Sequence, residues 1–210
     1  MSWILYGARG SGSVPVEAAL TLLGLPYEVV EGQTWLGDPQ VLARVERVNP
    51  MRQIPALVTP AGETLTESAA ILTWLADAHP EAGLAPAPGA PGRAQFLRWQ
   101  MFVASSVYAL FWLRADPTRL APAGQRQRVL DATANRIVEC WTVMDRALAP
   151  DGPYLLGERI TVLDLYVTAV SAWGPGRARF RAAAPRLARV VDRVEADPRL
   201  ADLWAERLHG

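Results

Sequence analysis

Lysine is absent from this sequence, and all 21 cationic side chains are arginine. No lysine is present to form a Schiff base, so that chemistry is excluded. Cysteine is nearly absent as well: Cys140 stands alone. One cysteine makes no internal disulfide, no CxxC redox pair and no zinc knuckle, which agrees with a reducing compartment. The two histidines, His79 and His209, are far apart, belong to no recognisable triad or ligand set, and give no reason to expect a metal. Neither sign of charge prevails, with 21 acidic residues against 21 basic ones, so no global field favours nucleic acid. Long apolar runs are missing too. The best candidate, Trp99 to Leu113, lies between Arg98 and Arg114 and is broken by Gln100, Ser105 and Ser106; it is too short to span a bilayer. The first residues show no basic stretch and no cleavage site, so a cytoplasmic protein is expected.

What is present is apolar substance, half of 210 residues, enough for a substantial core. The first part of the chain alternates period-2 and period-3.6 segments. Trp3 to Tyr6 and Tyr27 to Val30 read as strands around a helix, Val14 to Leu23, that Gly24 and Pro26 terminate. Asp38 and Pro39 open a second helix reaching Val48. Ala56 to Thr59 and Glu63 to Leu65 form a hairpin about Pro60-Ala61-Gly62, and Glu67 to Ala78 is helical. The βαβ unit implies parallel strands covered by helices.

Composition then shifts. Residues 83–92 are rich in proline, alanine and glycine and read as a semi-rigid connection. Beyond it only helical periods occur: Arg93–Arg114, Gln125–Leu148, Val162–Trp173, Pro185–Ala196 and Pro198–Leu208. The expected division is 1–80, a linker over 81–92, and an all-helical 93–210. Arg93–Arg114 is apolar around its whole axis, as for a helix that meets its own core, a cleft and a partner subunit, or for a simple central core helix. Cys140 shares a stripe with Ile137, Trp141, Met144 and Leu148 and reads as an inert buried thiol. Thr161 and Asp164 form a capping box, with Ile160 and Leu165 at staple positions, so Asp164 reads as structural. The late arginines, Arg177, Arg179, Arg181, Arg186, Arg189 and Arg193, alternate with acids and read as a solvated face.

Two stretches carry chemistry. In Arg52-Gln53-Ile54-Pro55-Ala56, Pro55 suits the first residue of an edge strand; alternatively a cis bond there presents the Ile54 backbone to a ligand. Glu67-Ser68 opens a helix, where free N–H groups and a partial positive charge suit a carboxylate. The competing reading is that Thr66 or Ser68 only caps the helix and Glu67 favours its dipole.

These pieces resemble the cytosolic glutathione transferases. The matching segments are Ile4-Leu5-Tyr6 before a serine-bearing loop, Asn49-Pro50 with Gln53-Ile54-Pro55-Ala56-Leu57, Thr66-Glu67-Ser68 with Ala69-Ala70-Ile71, and the Thr161…Asp164 box. The resemblance implies an α/β thioredoxin-like N-terminal domain joined to an all-α C-terminal domain, usually in a homodimer. It further implies that Pro55 is cis and that Ile54 pairs its N–H and C=O with the backbone of the glutathione cysteine, a one-residue strand addition. Ser68 would hold the γ-glutamyl carboxylate, Glu67 the ammonium, and Gln53 the tripeptide backbone. Arg52 stands where many members carry glycine; it would reach the glycyl carboxylate or face water.

Such chemistry needs a thiolate. A free thiol has a pKa of about 8.5; lowering it by two units takes roughly 2.7 kcal/mol. A hydrogen bond to a charged group supplies about 1.5–3 kcal/mol, so one hydroxyl suffices. Three compete: Ser11, whose spacing from Tyr6 resembles the theta, zeta and delta types; Ser13, equally placed to be the helix N-cap; and Tyr6, as in the tyrosine classes. The loop lacks the cysteine of the beta and omega classes. The electrophile is expected beside the sulfur, against Phe102, Tyr108 and Trp112, although each of these also fits plain core. The expected activity is conjugation of the glutathione thiolate, as co-substrate, to a hydrophobic electrophile. The competing readings are a non-catalytic binding or regulatory protein, and a glutathione-dependent isomerase, dehalogenase or peroxidase.

Overall fold

The computed structural model describes residues 2–148 and 152–208, which leaves His209 outside the described residues. The strands lie in the first third: β1 (Trp3–Gly7), β2 (Tyr27–Glu31), β3 (Ala56–Val58) and β4 (Thr64–Thr66) form one sheet in the order β2-β1-β3-β4. β1 and β2 are parallel, as the βαβ reading requires, and β3 runs antiparallel to both β1 and β4. Helix α1 (Val14–Leu22) supplies the crossover and buries Val14, Val16, Ala18, Ala19 and Leu20. Helix α2 (Pro39–Glu46) begins as expected: the Asp38 side chain accepts from the Gln40 N–H at 2.8 Å, satisfying one orphan donor of the first turn. Helix α3 (Ser68–Ala78) follows β4 directly.

From Arg93 onward the ordered elements are helices: α4 (Arg93–Phe102), α5 (Ala109–Ala115), α6 (Arg126–Leu148), α7 (Val162–Ala172), α8 (Arg177–Ala183), α9 (Pro185–Glu195) and α10 (Ala201–Arg207). Helix α7 is buried along almost its whole length and packs against α1, α3, α4 and α9, so it is the common core of both halves of the chain. Its start is the capping box. The Asp164 carboxylate accepts from Thr161 N–H at 2.7 Å, from the Thr161 hydroxyl at 2.6 Å, and from Leu155 N–H at 2.8 Å. Trp99, Trp141, Trp204 and Tyr166 are the largest side chains fully enclosed in the core. Cys140 is buried, its thiol pushed up by burial, and it donates to the Ser106 carbonyl at 3.5 Å.

The structure departs from the expected elements in three places. The single long helix Arg93–Arg114 is interrupted by a π-helical segment, Val103–Tyr108, between α4 and α5. A π turn rotates the helix face, so positions after it do not continue the stripe before it. Helix α8 forms where no helical period was expected; its one buried residue, Phe180, packs edge-on against Trp141 at 5.4 Å and anchors it. Finally, Arg177 is not on the solvated face. Its guanidinium donates to the Thr168 carbonyl at 2.8 Å, pairs with Glu195 at 2.5 Å and also reaches the Ser171 hydroxyl. Arg179 and Arg181 do face water, bonded to Asn135 and Asp192.

Candidate functional site

Strand register brings the chemistry to one end of the sheet. Ala56 pairs with Tyr6 on one side and with Thr66 on the other. The loop following β1, the Ile54–Pro55 segment preceding β3, and Glu67–Ser68 following β4 are therefore neighbours. The Ile54–Pro55 peptide bond is cis. Pro55 is buried and Ile54 half-buried. The loop before it is held by Asn49, whose amide donates to the Gln53 carbonyl at 2.8 Å while its side-chain oxygen accepts from Met51 N–H at 3.1 Å. Gln53 itself is exposed. Arg52 also lies on the surface and pairs with Glu46 at 2.8 Å.

Glu67 is the N-cap of α3 and takes φ 67°, ψ 110°, outside the conformations an L-residue favours. It is exposed, while Ser68, the first helical residue, is 5% exposed. The Ser68 hydroxyl donates to the Gly12 carbonyl at 3.0 Å. Gly12 has no room for a side chain: a Cβ there would lie 2.4 Å from the Tyr108 hydroxyl and 2.6 Å from Ser68 Oγ.

The serine loop is closely wired. Ser11 donates to the Ala8 carbonyl at 2.7 Å and lies 3.0 Å from the Ser13 hydroxyl. Ser13 Oγ accepts from Ala8 N–H at 3.1 Å and donates to Glu17 Oε1 at 3.1 Å. Ser13 occupies the N-cap position of α1, yet its side chain makes no capping bond; it is spent on Ala8 and Glu17 instead. Ser13 has no exposed surface, whereas Ser11 keeps 7%. Tyr6, at the end of β1, is half-buried. Glu17 is buried, and burial pushes its carboxyl above the usual carboxylate range; the hydrogen bonds and charge of Arg207 pull in the opposite direction.

Of the residues expected to face an electrophile, Tyr108 is the one the structure joins to this site. Its hydroxyl lies beside Ser68 and Gly12, and burial pushes it up to about 12. Its ring stacks on Tyr166 at 6.2 Å and meets Trp173 edge-on at 5.1 Å; Phe111 closes the cluster, 5.2 Å from Trp173. Phe102 packs edge-on against Trp99 at 5.3 Å. Trp112 stands apart, 48% exposed, with the Arg119 guanidinium 4.6 Å above its ring.

Several contributors were not visible in the sequence. Gly12, Asn49, Phe111 and Trp173 had a signal only as members of the motifs or helices around them. Glu17 and Arg207 had none, because their contact spans 190 positions. Among the described residues no group of His, Cys, Asp or Glu could hold a metal ion, and no helix is long and apolar enough to cross a membrane.

Comparison with known proteins agrees with this fold. Residues 5–83 match the model of the glutathione S-transferase N-terminal domain, and residues 121–207 match that of the C-terminal domain. An uncharacterized GST-like protein of Escherichia coli K12, YncG, is 30% identical over 199 residues, 95% of each chain. Among solved structures, a glutathione transferase homologue from Sulfitobacter with bound glutathione is 25% identical, with a TM-score of 0.83 over 98% of both chains. A sphingomonad glutathione S-transferase complexed with glutathione is 27% identical, with a TM-score of 0.79 over 97% of this chain and 98% of that one.

Proposed function

Because the chain belongs to the glutathione S-transferase family, we propose that it binds glutathione at the sheet end described above and transfers the thiolate to a small hydrophobic electrophile. The observation that carries this reading is the pairing of Ala56 with both Tyr6 and Thr66. It supports reading a strand-like backbone edge at Ile54, a helix N-terminus at Ser68 and a hydroxyl loop at Ser11 as parts of one site. A γ-linked tripeptide needs those three things in that order. Ile54 N–H and C=O pair with the cysteinyl backbone; Ser68 and the first turn of α3 take the γ-glutamyl carboxylate; Glu67 takes the ammonium; Gln53 borders the tripeptide backbone.

Ser11 is the thiol activator in this proposal. Its proton now goes to the Ala8 carbonyl, an exchangeable neutral bond, and a thiolate is the stronger acceptor. Ser13 is enclosed, which supports a structural role for it, and Tyr6 remains the alternative hydroxyl. The thiol proton passes to solvent, the thiolate attacks the electrophilic carbon, a C–S bond forms, and the leaving group departs with the electron pair of its bond to that carbon. Catalysis comes from thiolate formation and from holding two reactants together. Tyr108, Phe111 and Trp173 form the apolar wall on which the electrophile rests, with Phe102 behind; Trp112 is assigned elsewhere. Leu97 and Met101 stay 39% and 45% exposed, which supports a homodimer. The proposed units are residues 1–80, 81–92 and 93–210, in a cytoplasmic protein.

The test is retention on immobilised glutathione together with conjugation of a generic aryl halide, read as halide release and thioether formation. Both are expected. Retention without conjugation would instead favour the non-catalytic binding role, and failure of both would overturn the proposal.

A further inference from the structure

The last helix reaches the serine loop twice. Gly10 N–H donates to the Arg207 carbonyl at 2.8 Å. Arg207, 9% exposed, donates from Nε to Glu17 Oε2 at 2.8 Å and from Nη2 to Glu17 Oε1 at 3.0 Å; its remaining nitrogen reaches Glu31 Oε1 at 2.7 Å. Glu17 in turn accepts from Ser13, and Ser13 touches Ser11. A two-pronged guanidinium–carboxylate pair is directional and strong, so α10, α1 and β2 are tied together directly beneath the loop that carries Ser11.

We infer that Arg207 is a positioning residue for thiol activation, acting through Glu17 and Ser13 on the Ser11 hydroxyl and through its own carbonyl on Gly10. The inference rests on the glutathione transferase reading and on Ser11 as the activator.

The physical argument concerns one proton. An ionised carboxylate only accepts hydrogen bonds. Kept ionised by Arg207, Glu17 draws the Ser13 proton towards itself, and Ser13 then offers Ser11 lone pairs but no proton. Ser11 Oγ is left with its own hydrogen free to turn from the Ala8 carbonyl to a sulfur. Without Arg207, a carboxyl 2% exposed takes up a proton, because a buried unpaired charge is costly. It then donates to Ser13, the direction of the chain reverses, and the Ser13 proton competes for Ser11. Glu31, Tyr27 and Glu206 also face this cluster.

Arg207→Gln, Arg207→Lys and Glu17→Gln in the full chain test this, read by ultraviolet titration of the thiolate of bound glutathione and by the pH profile of conjugation. Arg207→Gln and Glu17→Gln are expected to raise the bound-thiol pKa by about one unit, a tenfold loss of kcat/KM near neutral pH that closes at alkaline pH. KM for glutathione should move by less than about threefold, since no ligand contact is lost. Arg207→Lys should recover part of the shift, because it restores the charge but not the fork. If Arg207→Gln does not fold, Glu17→Gln, which keeps the side-chain shape, carries the test alone. Folded variants with the wild-type thiol pKa would overturn the inference. A wild type that binds no glutathione would instead overturn the functional reading beneath it.

Discussion

The Ser68 hydroxyl donates to the Gly12 carbonyl at 3.0 Å, closing the first turn of α3 onto the serine loop across 56 positions of sequence. This bond joins the two segments that glutathione would bridge in the proposed site. A hydroxyl has a single proton, so a ligand carboxylate at Ser68 takes the proton that Gly12 now receives. The exchange replaces a neutral acceptor by an ionised one, which forms the stronger bond.

Ser68→Ala therefore loses on the ligand side more than on the fold side. A hydrogen bond to a charged partner is worth about 1.5–3 kcal/mol, so the affinity for glutathione should fall by roughly tenfold to a hundredfold, with kcat changed much less. Titration calorimetry with glutathione measures it. An unchanged affinity would remove Ser68 from the site.

Ser11→Ala, Ser13→Ala and Tyr6→Phe separate the candidate activators. Ser11→Ala is expected to raise the pKa of the bound thiol by about one to two units. Tyr6→Phe should leave it in place. Ser13→Ala should act chiefly on stability, since the buried Ala8 N–H and Glu17 carboxylate lose a partner. Ultraviolet titration of the thiolate distinguishes these outcomes, and a large shift in Tyr6→Phe alone would reassign the role.

Gly12→Ala puts a methyl group into the space held by the Tyr108 hydroxyl and Ser68 Oγ. Overpacking of this kind costs about 1–3 kcal/mol, and the displaced Ser68 should raise KM for glutathione. Adding Tyr108→Phe removes the atom nearest the new methyl, so the double variant should regain part of the lost stability. Denaturant unfolding of the two single variants and the pair measures that coupling.

Asp164 gives a pH-dependent signature. Burial raises its carboxyl to about 6, against the hydrogen bonds of Thr161 and Leu155 that favour ionisation. A folded pKa above the unfolded one means that the native state holds the proton between about pH 4 and 6. The stability from this group is thus complete below about pH 4 and declines as pH rises through about 6. Asp164→Asn has no such titration. The wild-type advantage over the variant, measured by urea unfolding, should shrink by on the order of 3 kcal/mol across that window. A constant difference would show that the carboxyl stays ionised throughout.

The exposed apolar residues of α4 predict association. Leu97 and Met101 lie one turn apart on the same face, 39% and 45% exposed. Leu97→Glu with Met101→Glu should convert a dimer to a monomer in light scattering, because charge is excluded from an apolar interface core. A wild type that is monomeric at the same concentration would contradict the assignment.

How much was readable beforehand depends on the range of the interaction. The β1–α1–β2 unit, the Asp38 cap and the Thr161–Asp164 box were legible because their signals lie within a few residues of one another. Ile54-Pro55 and Glu67-Ser68 were legible as a pair because β3 and β4 are joined by a short turn, and their register follows from it. The π segment at Val103–Tyr108 was not, since an extra residue in one turn leaves the apolar composition unchanged. Arg177 was misjudged for the same reason that α8 was missed: a charge-rich sequence reads as surface, and only the approach of Thr168, Ser171 and Glu195 turns that guanidinium inward. Ser13 was legible as an N-cap position, but its hydroxyl answers to Glu17 and Ala8. The Glu17–Arg207 pair depends on tertiary structure alone.

The most direct test of the central claim is the ultraviolet titration of glutathione bound to the wild-type protein. The account predicts that the thiol ionises about two units below the free value of about 8.5. A bound thiol that titrates at the free value would contradict it.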